Sequence, residues 1–339
     1  MRKFAVTKNE EGLSVVKLSR KLLPEAPSSL IFKFIRNKNI ELNGRKTQPE
    51  VILKAGDELS FFLSDETYDK FSGTRAKGGE SRPQEEKLSA KRVGRDELSR
   101  AIIYEDDNIL LINKPAGLLS QGDETGEVSL NDLILDYLNY DPKRDVIKPS
   151  ICNRLDKNTS GLLAAGKSAS ALAELNRGFS ERYFKKTYCL ICETDKAPKG
   201  EYRAYLMKDR VNNTALIRKE PAKGYKEIIT SFYPEEYFDV EYFGDRPEGE
   251  LIHLCLLKAE LKTGKPHQIR AHLKALGCPV LGDRKYFTPR SREVSEKLSV
   301  KRQLLHSFSL KFDFPGSEGA LAYLQGKEFV APLPEDFRF

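Results

Sequence analysis

Apolar side chains recur at helical spacing near the start of the chain. Val15, Leu18 and Leu22 fall three and four residues apart, a pattern that predicts an amphipathic helix. Ile31 and Ile35 repeat this spacing in a second predicted helix. Short strands are predicted next in NIELNGRK, which contains an Asn-Gly turn, and in VILKAGDELSFFL. The first sixty or so residues therefore predict a small module of helices and strands.

Apolar runs of strand length predominate from Ala101 onward. The main ones are AIIYEDDNILLINKPAGLLS, GLLAAGKS and KKTYCLICE. A helix is predicted from Ser168 to a stop near Gly178, and another in HQIRAHLKALG, between Pro266 and Gly277. Strands with a few intervening helices predict an α+β domain.

The stretch from 66 to 100 has a different composition. It carries charges of both signs with glycine and proline, and it offers little to bury. We therefore predict three parts: a module at 1–65, a flexible charged linker at 66–100 and a larger domain at 101–339.

Charge and cysteine content narrow the class of protein. The 339 residues carry a net charge of +7, which favours an anionic partner such as nucleic acid, although ordinary surface charge gives the same total. No apolar run is long enough to span a membrane. The five cysteines are not needed as disulfides in a chain of this size, so we expect a cytoplasmic location. Cys189 and Cys192 lie on a predicted strand and face opposite ways, which argues against a metal or redox pair.

One polar stretch, NRLDKNTSGLLAAGKS from Asn153 to Ser168, stands out. It places a single acid, Asp156, between Arg154 and Lys157, just before an apolar run. The polar part predicts a loop. By itself, Asp156 is compatible with a turn-forming side chain or a surface ion pair.

Four segments, in order along the chain, resemble the motifs of RNA pseudouridine synthases of the RluA/RluC/RluD type. They are DDNILLINKPAGLLSQG, NRLDKNTSGLLAAGKS, KKTYCLICE and TGKPHQIRAHLKALGCPVLGDRKY. The resemblance covers nearly everything from Ala101 to Phe339, and the order of four motifs makes it specific. It implies a mixed, mostly antiparallel central sheet. Asn153 stands where that family usually has histidine, and we expect this change to alter RNA contacts rather than activity.

The resemblance implies that uridine in RNA is converted to pseudouridine without a cofactor or a metal ion. It identifies Asp156 as the carboxylate that attacks the sugar or takes a proton from its carbon 2′, and the sequence leaves both routes open. It makes Arg270 the buried partner of Asp156. It places the ring of Tyr188 against the target base, with a hydroxyl that assists proton removal from carbon 5. Read without the resemblance, Arg270 is an exposed helix residue and Tyr188 is a core residue.

The N-terminal module resembles the S-four-like RNA-binding domain. Its predicted helices carry Lys17, Arg20, Lys33 and Arg36, which can meet phosphates, although most such stripes are only solvated faces.

In the larger domain, Arg154 and Lys186 flank the predicted site. Each is a candidate for phosphate binding, with plain surface charge as the alternative.

The expected partner is therefore RNA. Large-subunit ribosomal RNA is the first candidate and transfer RNA the second, and we expect a monomer. The alternative from another class is a non-catalytic RNA-binding or ribosome-assembly protein on the same fold.

Overall fold

Two β-sheets organise the part of the chain that the structure describes. This computed structural model describes residues 1–73, 96, 98–142, 144–243, 249–316 and 318–339. A four-stranded sheet belongs to the N-terminal module, and an eleven-stranded sheet belongs to the domain that follows.

The N-terminal module packs two helices against its sheet, whose strand order is β1-β4-β2-β3. Its elements are β1 (Arg2–Ala5), α1 (Val15–Leu22), α2 (Ser28–Arg36), β2 (Ile40–Leu42), β3 (Arg45–Lys46), β4 (Glu58–Phe61) and α3 (Asp65–Phe71). Val15, Leu18, Ile31 and Ile35 are buried, which confirms the helical stripes predicted from their spacing.

Helix α3 corrects the predicted start of the linker. It occupies Asp65–Phe71, and its Tyr68 packs edge-on against Phe61 at a centroid distance of 5.6 Å. Ser64 caps the helix by accepting from the backbone N–H of Thr67. The module thus extends beyond residue 65. The charged composition of this segment predicts little burial, but its Tyr68 packs against the core of the module. Most of the predicted linker, residues 74–95, lies outside the described residues.

The larger domain is built on the long sheet, with strand order β11-β10-β12-β13-β9-β14-β8-β6-β5; in addition, β7 pairs with β8 and β15 pairs with β14. Its strands are β5 (Ile102–Glu105), β6 (Ile109–Lys114), β7 (Ser150–Ile151), β8 (Ser160–Gly166), β9 (Phe184–Glu193), β10 (Gly200–Asp209), β11 (Thr214–Arg218), β12 (Lys226–Tyr242), β13 (Glu250–Leu261), β14 (Leu305–Phe312) and β15 (Glu328–Val330). Its helices are α4 (Leu130–Tyr137), α5 (Ala169–Glu181), α6 (Gln268–Ala275) and α7 (Pro289–Lys297). Only β8 and β14 pair in parallel among the described strands, which confirms the predicted mixed, mostly antiparallel α+β fold.

The two faces of strand β8 belong to different cores. Leu163 joins a cluster that also holds Tyr188 and Ile269, whereas Leu162 joins a cluster on the opposite face with Phe184 and Leu175 of α5. Because side chains alternate along a strand, one apolar run serves both cores. The face that carries Tyr188 also carries helix α6.

Helix α5 runs past its predicted end at Gly178. A Cβ at that position would lie 2.3 Å from the ring of Phe184, so the glycine makes room for an aromatic side chain inside the helix. The helix ends at Glu181, and the next residue, Arg182, caps it in a left-handed backbone conformation with φ of 66°. Gly178 therefore meets a packing requirement and does not end the helix.

The N-terminal module contacts the larger domain. The backbone N–H of Ala169, the first residue of α5, donates to the carbonyl of Asn9 at 2.9 Å, and Val146 packs against the module's core. In the described part of the chain, no helix has the length and apolarity needed to cross a membrane.

Candidate active site

The loop between β7 and β8 carries Asp156. Its backbone is held by Ser120, whose hydroxyl donates to the carbonyl of Leu155 at 2.8 Å and accepts from its N–H at 3.1 Å. The N–H of Thr159 donates to the carbonyl of Asp156 at 3.0 Å and closes the turn. The loop thus presents the Asp156 side chain, 29% exposed, at the edge of the face that carries Tyr188 and α6.

Arg270, in the first turn of α6, bridges two carboxylates. Its Nη1 donates to Oδ2 of Asp156 at 2.6 Å, while Nε and Nη2 donate to the two oxygens of Asp283 at 2.6 and 2.9 Å. The guanidinium lies 5.1 Å from the ring centroid of Tyr286 and is 6% exposed. Burial acts to lower the pKa of Arg270, but the hydrogen bonds and charges of Asp283 and then Asp156 outweigh it and raise that pKa. The predicted contact between Asp156 and Arg270 is present.

The reasoning from sequence did not single out Asp283. Its side chain is completely buried, and Oδ1 also accepts from the backbone N–H groups of Lys285 and Tyr286 at 2.8 and 3.0 Å. Two-point contact fixes the plane of the guanidinium, so only one edge of Arg270 remains for Asp156. The one feature of the sequence that could have indicated Asp283 is its position directly after the apolar run CPVLG.

Tyr188, in the middle of β9, is buried on the same face. Burial, and then the charge of Asp156, raises the pKa of its hydroxyl to about 12, against a hydrogen bond with Ser307 that lowers it. Asp156 therefore lies near enough to act on the phenol electrostatically. At neutral pH the hydroxyl is un-ionised, so the phenolate is not the resting state of this side chain.

Lys114, at the end of β6, supports the Asp156 loop and was also not predicted. Its side chain is fully buried, and Nζ donates to the carbonyls of Pro115, Leu118 and Lys157 at 2.8, 2.8 and 3.0 Å. Burial, and then the charge of Arg302, lowers the pKa of Lys114 to about 7. Its three carbonyl partners match the three N–H donors of an ammonium group, so we favour the charged form. The Lys114 ammonium group thereby links the loop after β6 to the loop that carries Asp156.

The residues predicted to bind RNA occupy separate places. Arg154 is exposed two residues before Asp156, and Lys186 is half-buried two residues before Tyr188, with Nζ 5.9 Å from the ring centroid of Phe179. Burial, and then the charge of Arg182, lowers the pKa of Lys186. The four candidate cations on the N-terminal helices are all exposed: Lys17, Arg20, Lys33 and Arg36.

Asn153 has a structural contact. Its side-chain oxygen accepts from the backbone N–H of Ala164 on β8 at 2.8 Å. The side chain thus holds the start of the Asp156 loop against the sheet, and its expected effect on RNA contacts stays a prediction.

Metal ligands are not grouped in the described part of the chain. Nowhere in it do three or more histidine, cysteine or acidic side chains converge as a metal ion would require.

Comparison with known proteins identifies the class. The model of the RNA pseudouridylate synthase family matches residues 108–275, which include Asp156, Tyr188 and Arg270. A ribosomal large subunit pseudouridine synthase C from Rickettsia felis is 34% identical over 80% of this chain and 80% of its own length. An uncharacterized RNA pseudouridine synthase from Mycoplasma genitalium is 29% identical over 91% of this chain and 88% of its own.

The structural comparison agrees on the fold. The solved structure of human RNA pseudouridylate synthase domain containing 4 superposes with a TM-score of 0.53 at 21% identity, covering 74% of this chain and 95% of that one. The chain belongs to the RNA pseudouridylate synthase family, whose enzymes isomerise uridine in RNA.

Proposed function

We propose that this protein isomerises specific uridines of large-subunit ribosomal RNA, with Asp156 as the reacting carboxylate. The observation that carries the proposal is the contact of Asp156 with Arg270, beside a buried tyrosine and on the face of the family's sheet. Relatives named as ribosomal large subunit pseudouridine synthases support the choice of RNA. The net charge of +7 suits an anionic substrate.

The two oxygens of Asp156 have different surroundings. Oδ2 accepts from Arg270, while no donor among the described residues bonds to Oδ1. Because the guanidinium is fixed by Asp283, the carboxylate is oriented before the substrate arrives. In the proposal, Oδ1 is the oxygen that meets the sugar.

The reaction is balanced without a co-reactant. The bond between N1 of uracil and C1′ of the ribose breaks, and Oδ1 either bonds to C1′ or takes a proton from C2′. The base then turns and C5 bonds to C1′, while the Oδ1–C1′ bond breaks on the first route or the proton returns from Oδ1 to C2′ on the second. The hydrogen lost from C5 is balanced by the hydrogen gained at N1, so the product is an isomer.

The target base must leave its stack to reach this site. Flipping costs a few kcal/mol of lost stacking and is easiest in a loop. Tyr188, on the same face as Asp156, offers the ring against which the flipped base stacks. Arg154 and Lys186 are proposed to hold flanking phosphates.

The N-terminal module is proposed to add RNA affinity through its exposed cations on α1 and α2. A monomer in the cytoplasm completes the proposal, and the free thiols of all five cysteines are compatible with that reducing compartment.

The test is site-resolved mapping of pseudouridine in ribosomal and transfer RNA from cells with and without the gene. The matched control is a strain that expresses Asp156→Asn from the same promoter. We expect one or more sites in large-subunit RNA to disappear in both mutant strains. Sites lost only from transfer RNA would contradict the choice of substrate, and unchanged maps would contradict the activity.

A further inference from the structure

His267 faces the unoccupied oxygen of Asp156. Its Nε2 lies 3.8 Å from Oδ1, beyond hydrogen-bond distance, and the side chain is 15% exposed. No acceptor among the described residues bonds to this nitrogen. The imidazole thus points a free ring nitrogen at the place where, in the proposed function, the sugar meets Oδ1.

A hydrogen-bond chain fixes which ring nitrogen carries the proton. The backbone N–H of Ala215 donates to Oη of Tyr286 at 2.6 Å, and Oη lies 2.9 Å from Nδ1 of His267. Nδ1 is the acceptor available to the Tyr286 hydroxyl in the described part of the chain. The neutral imidazole therefore holds its hydrogen on Nε2.

The backbone of His267 is held in an unusual conformation. The residue precedes α6 with φ of 57° and ψ of 17°, in the left-handed region that non-glycine residues seldom adopt. Surrounding contacts must maintain such a conformation, and here they direct the side chain toward Asp156.

The chemistry of the sugar limits what Nε2–H can meet. Oδ1 must approach either C1′ or the hydrogen on C2′, and the 2′-oxygen is bonded to C2′. A donor 3.8 Å from Oδ1 is therefore within reach of the 2′-oxygen on either route. This hydroxyl is also the group that distinguishes RNA from DNA.

We propose that His267 is a specificity-determining residue that donates its Nε2–H to the 2′-oxygen of the target uridine. The inference rests on the proposed function, since it requires that the ribose lie against Oδ1. It adds to that function a way in which the enzyme selects ribose at the reacting nucleotide.

The test is a double-mutant cycle with RNA fragments that carry uridine or 2′-deoxyuridine at the mapped target. Two variants separate the donor from the fold. His267→Asn suits the left-handed backbone but is too short to place a donor at Nε2, whereas His267→Gln keeps an N–H near that position. The readout is the kcat/KM of pseudouridine formation on each fragment.

We expect the wild-type enzyme to prefer uridine, and His267→Asn to lose about tenfold on uridine and little on 2′-deoxyuridine, as for one missing hydrogen bond. His267→Gln should recover part of the preference. Equal losses on both fragments would overturn the inference and point to a contact with the base or to a structural role.

Failure of the proposed function has a different signature. If the wild-type enzyme forms no pseudouridine in any RNA, that function fails and takes this inference with it. If the wild-type enzyme is active and His267→Asn keeps the full preference for uridine, only the inference fails.

Discussion

At the scale of single residues, the site is one guanidinium between two carboxylates. Arg270 uses three of its five N–H donors here, two for Asp283 and one for Asp156. Asp156 is the more exposed of the two acids, at 29% against 0% for Asp283. This asymmetry suits a carboxylate that must react while its neighbour only orients.

Arg270→Lys tests the geometry apart from the charge. A lysine ammonium cannot reach both carboxylates with planar two-point contact, so Asp156 loses its fixed orientation. We expect kcat to fall by about a hundredfold, as for a misplaced reacting group, with RNA affinity little changed. The measurement is single-turnover pseudouridine formation.

The control for that variant is Arg154→Lys, at an exposed arginine nearby. It should keep its turnover within about a few-fold, because a phosphate contact tolerates either cation. Equal turnover in the two variants would show that Arg270 has no special geometry.

The ionisation of Tyr188 gives a prediction that does not depend on activity. Burial and the charge of Asp156 raise its pKa to about 12, so the neutral phenol persists below that pH. In a titration of tyrosinate absorbance, wild-type protein and Tyr188→Phe should coincide up to about pH 11. A difference near pH 10 would mean that Tyr188 is solvated and not in the described environment.

The resemblance to known motifs predicts Asp156, Tyr188 and Arg270 as the reacting groups, and the contact between Asp156 and Arg270 is present, but the resemblance did not indicate the residues that support them. Asp283 contacts Arg270 across 13 residues, and Lys114 contacts the carbonyl of Lys157 across 43, so neither support follows from its local sequence. Taken alone, a lysine at the end of an apolar strand predicts solvent exposure, because burial of its charge requires partners that only the fold supplies.

At the scale of elements, the Asp156 loop is held by cations from two other parts of the chain. Lys114 reaches the carbonyl of Lys157, and Arg302, before β14, donates to the carbonyl of Asn158 at 3.3 Å. Arg302 is oriented by Asp336, near the C-terminus, through two bonds of 2.6 and 2.7 Å. The C-terminal segment is thereby linked to the loop that carries Asp156.

Removing this link should loosen the loop. We expect Arg302→Ala to lower kcat by about tenfold or more while leaving KM nearly unchanged, since Asp156 is displaced but the RNA surface is not. The matched control is Arg292→Ala, whose partner Glu296 is an exposed neighbour on α7. Equal kcat values for the two variants would contradict the link.

The elements themselves were predicted best where a periodic pattern was long. The stripes of α1 and α2 and the central strands agree with their patterns, because one period recurs over each segment. The predicted end of α5 was wrong, since Gly178 makes room for the ring of Phe184 and does not stop the helix. Helix α3 was missed because its short charged sequence, DETYDKF, buries only the aromatic side of the helix.

At the scale of the whole molecule, the two parts are in contact. The loop of Asn9 meets the start of α5, and Lys8 lies 3.9 Å from Asp107. The cations on α1 and α2 lie in the same module as Asn9 and Lys8, which make this contact. In the proposed function, the module holds RNA while the larger domain acts on it.

Replacing Lys17, Arg20, Lys33 and Arg36 together by glutamine should weaken RNA binding. The slope of log affinity against log salt should become shallower by about 0.7 to 0.9 for each phosphate that the module no longer neutralises. At saturating RNA, kcat should stay unchanged, because these residues lie on the N-terminal module and the reacting groups do not.

The control changes Lys3 and Lys46 to glutamine, on the sheet of the same module. It should leave the slope nearly unchanged. If both variants bind like wild type at every salt concentration, the module is not an RNA-binding domain for this substrate.

Asp156→Asn tests the central claim most directly, by RNA affinity and by tritium release from carbon 5 of labelled uridine. Asparagine keeps the size of the side chain but cannot attack C1′ or take a proton from C2′. Loss of an essential nucleophile costs about 10⁶ in rate in a well-studied protease, so product should fall below detection while affinity changes little. Asp107→Asn, at an exposed acid, should react normally. Measurable single-turnover product from pure Asp156→Asn protein would contradict the assignment of Asp156 as the reacting carboxylate.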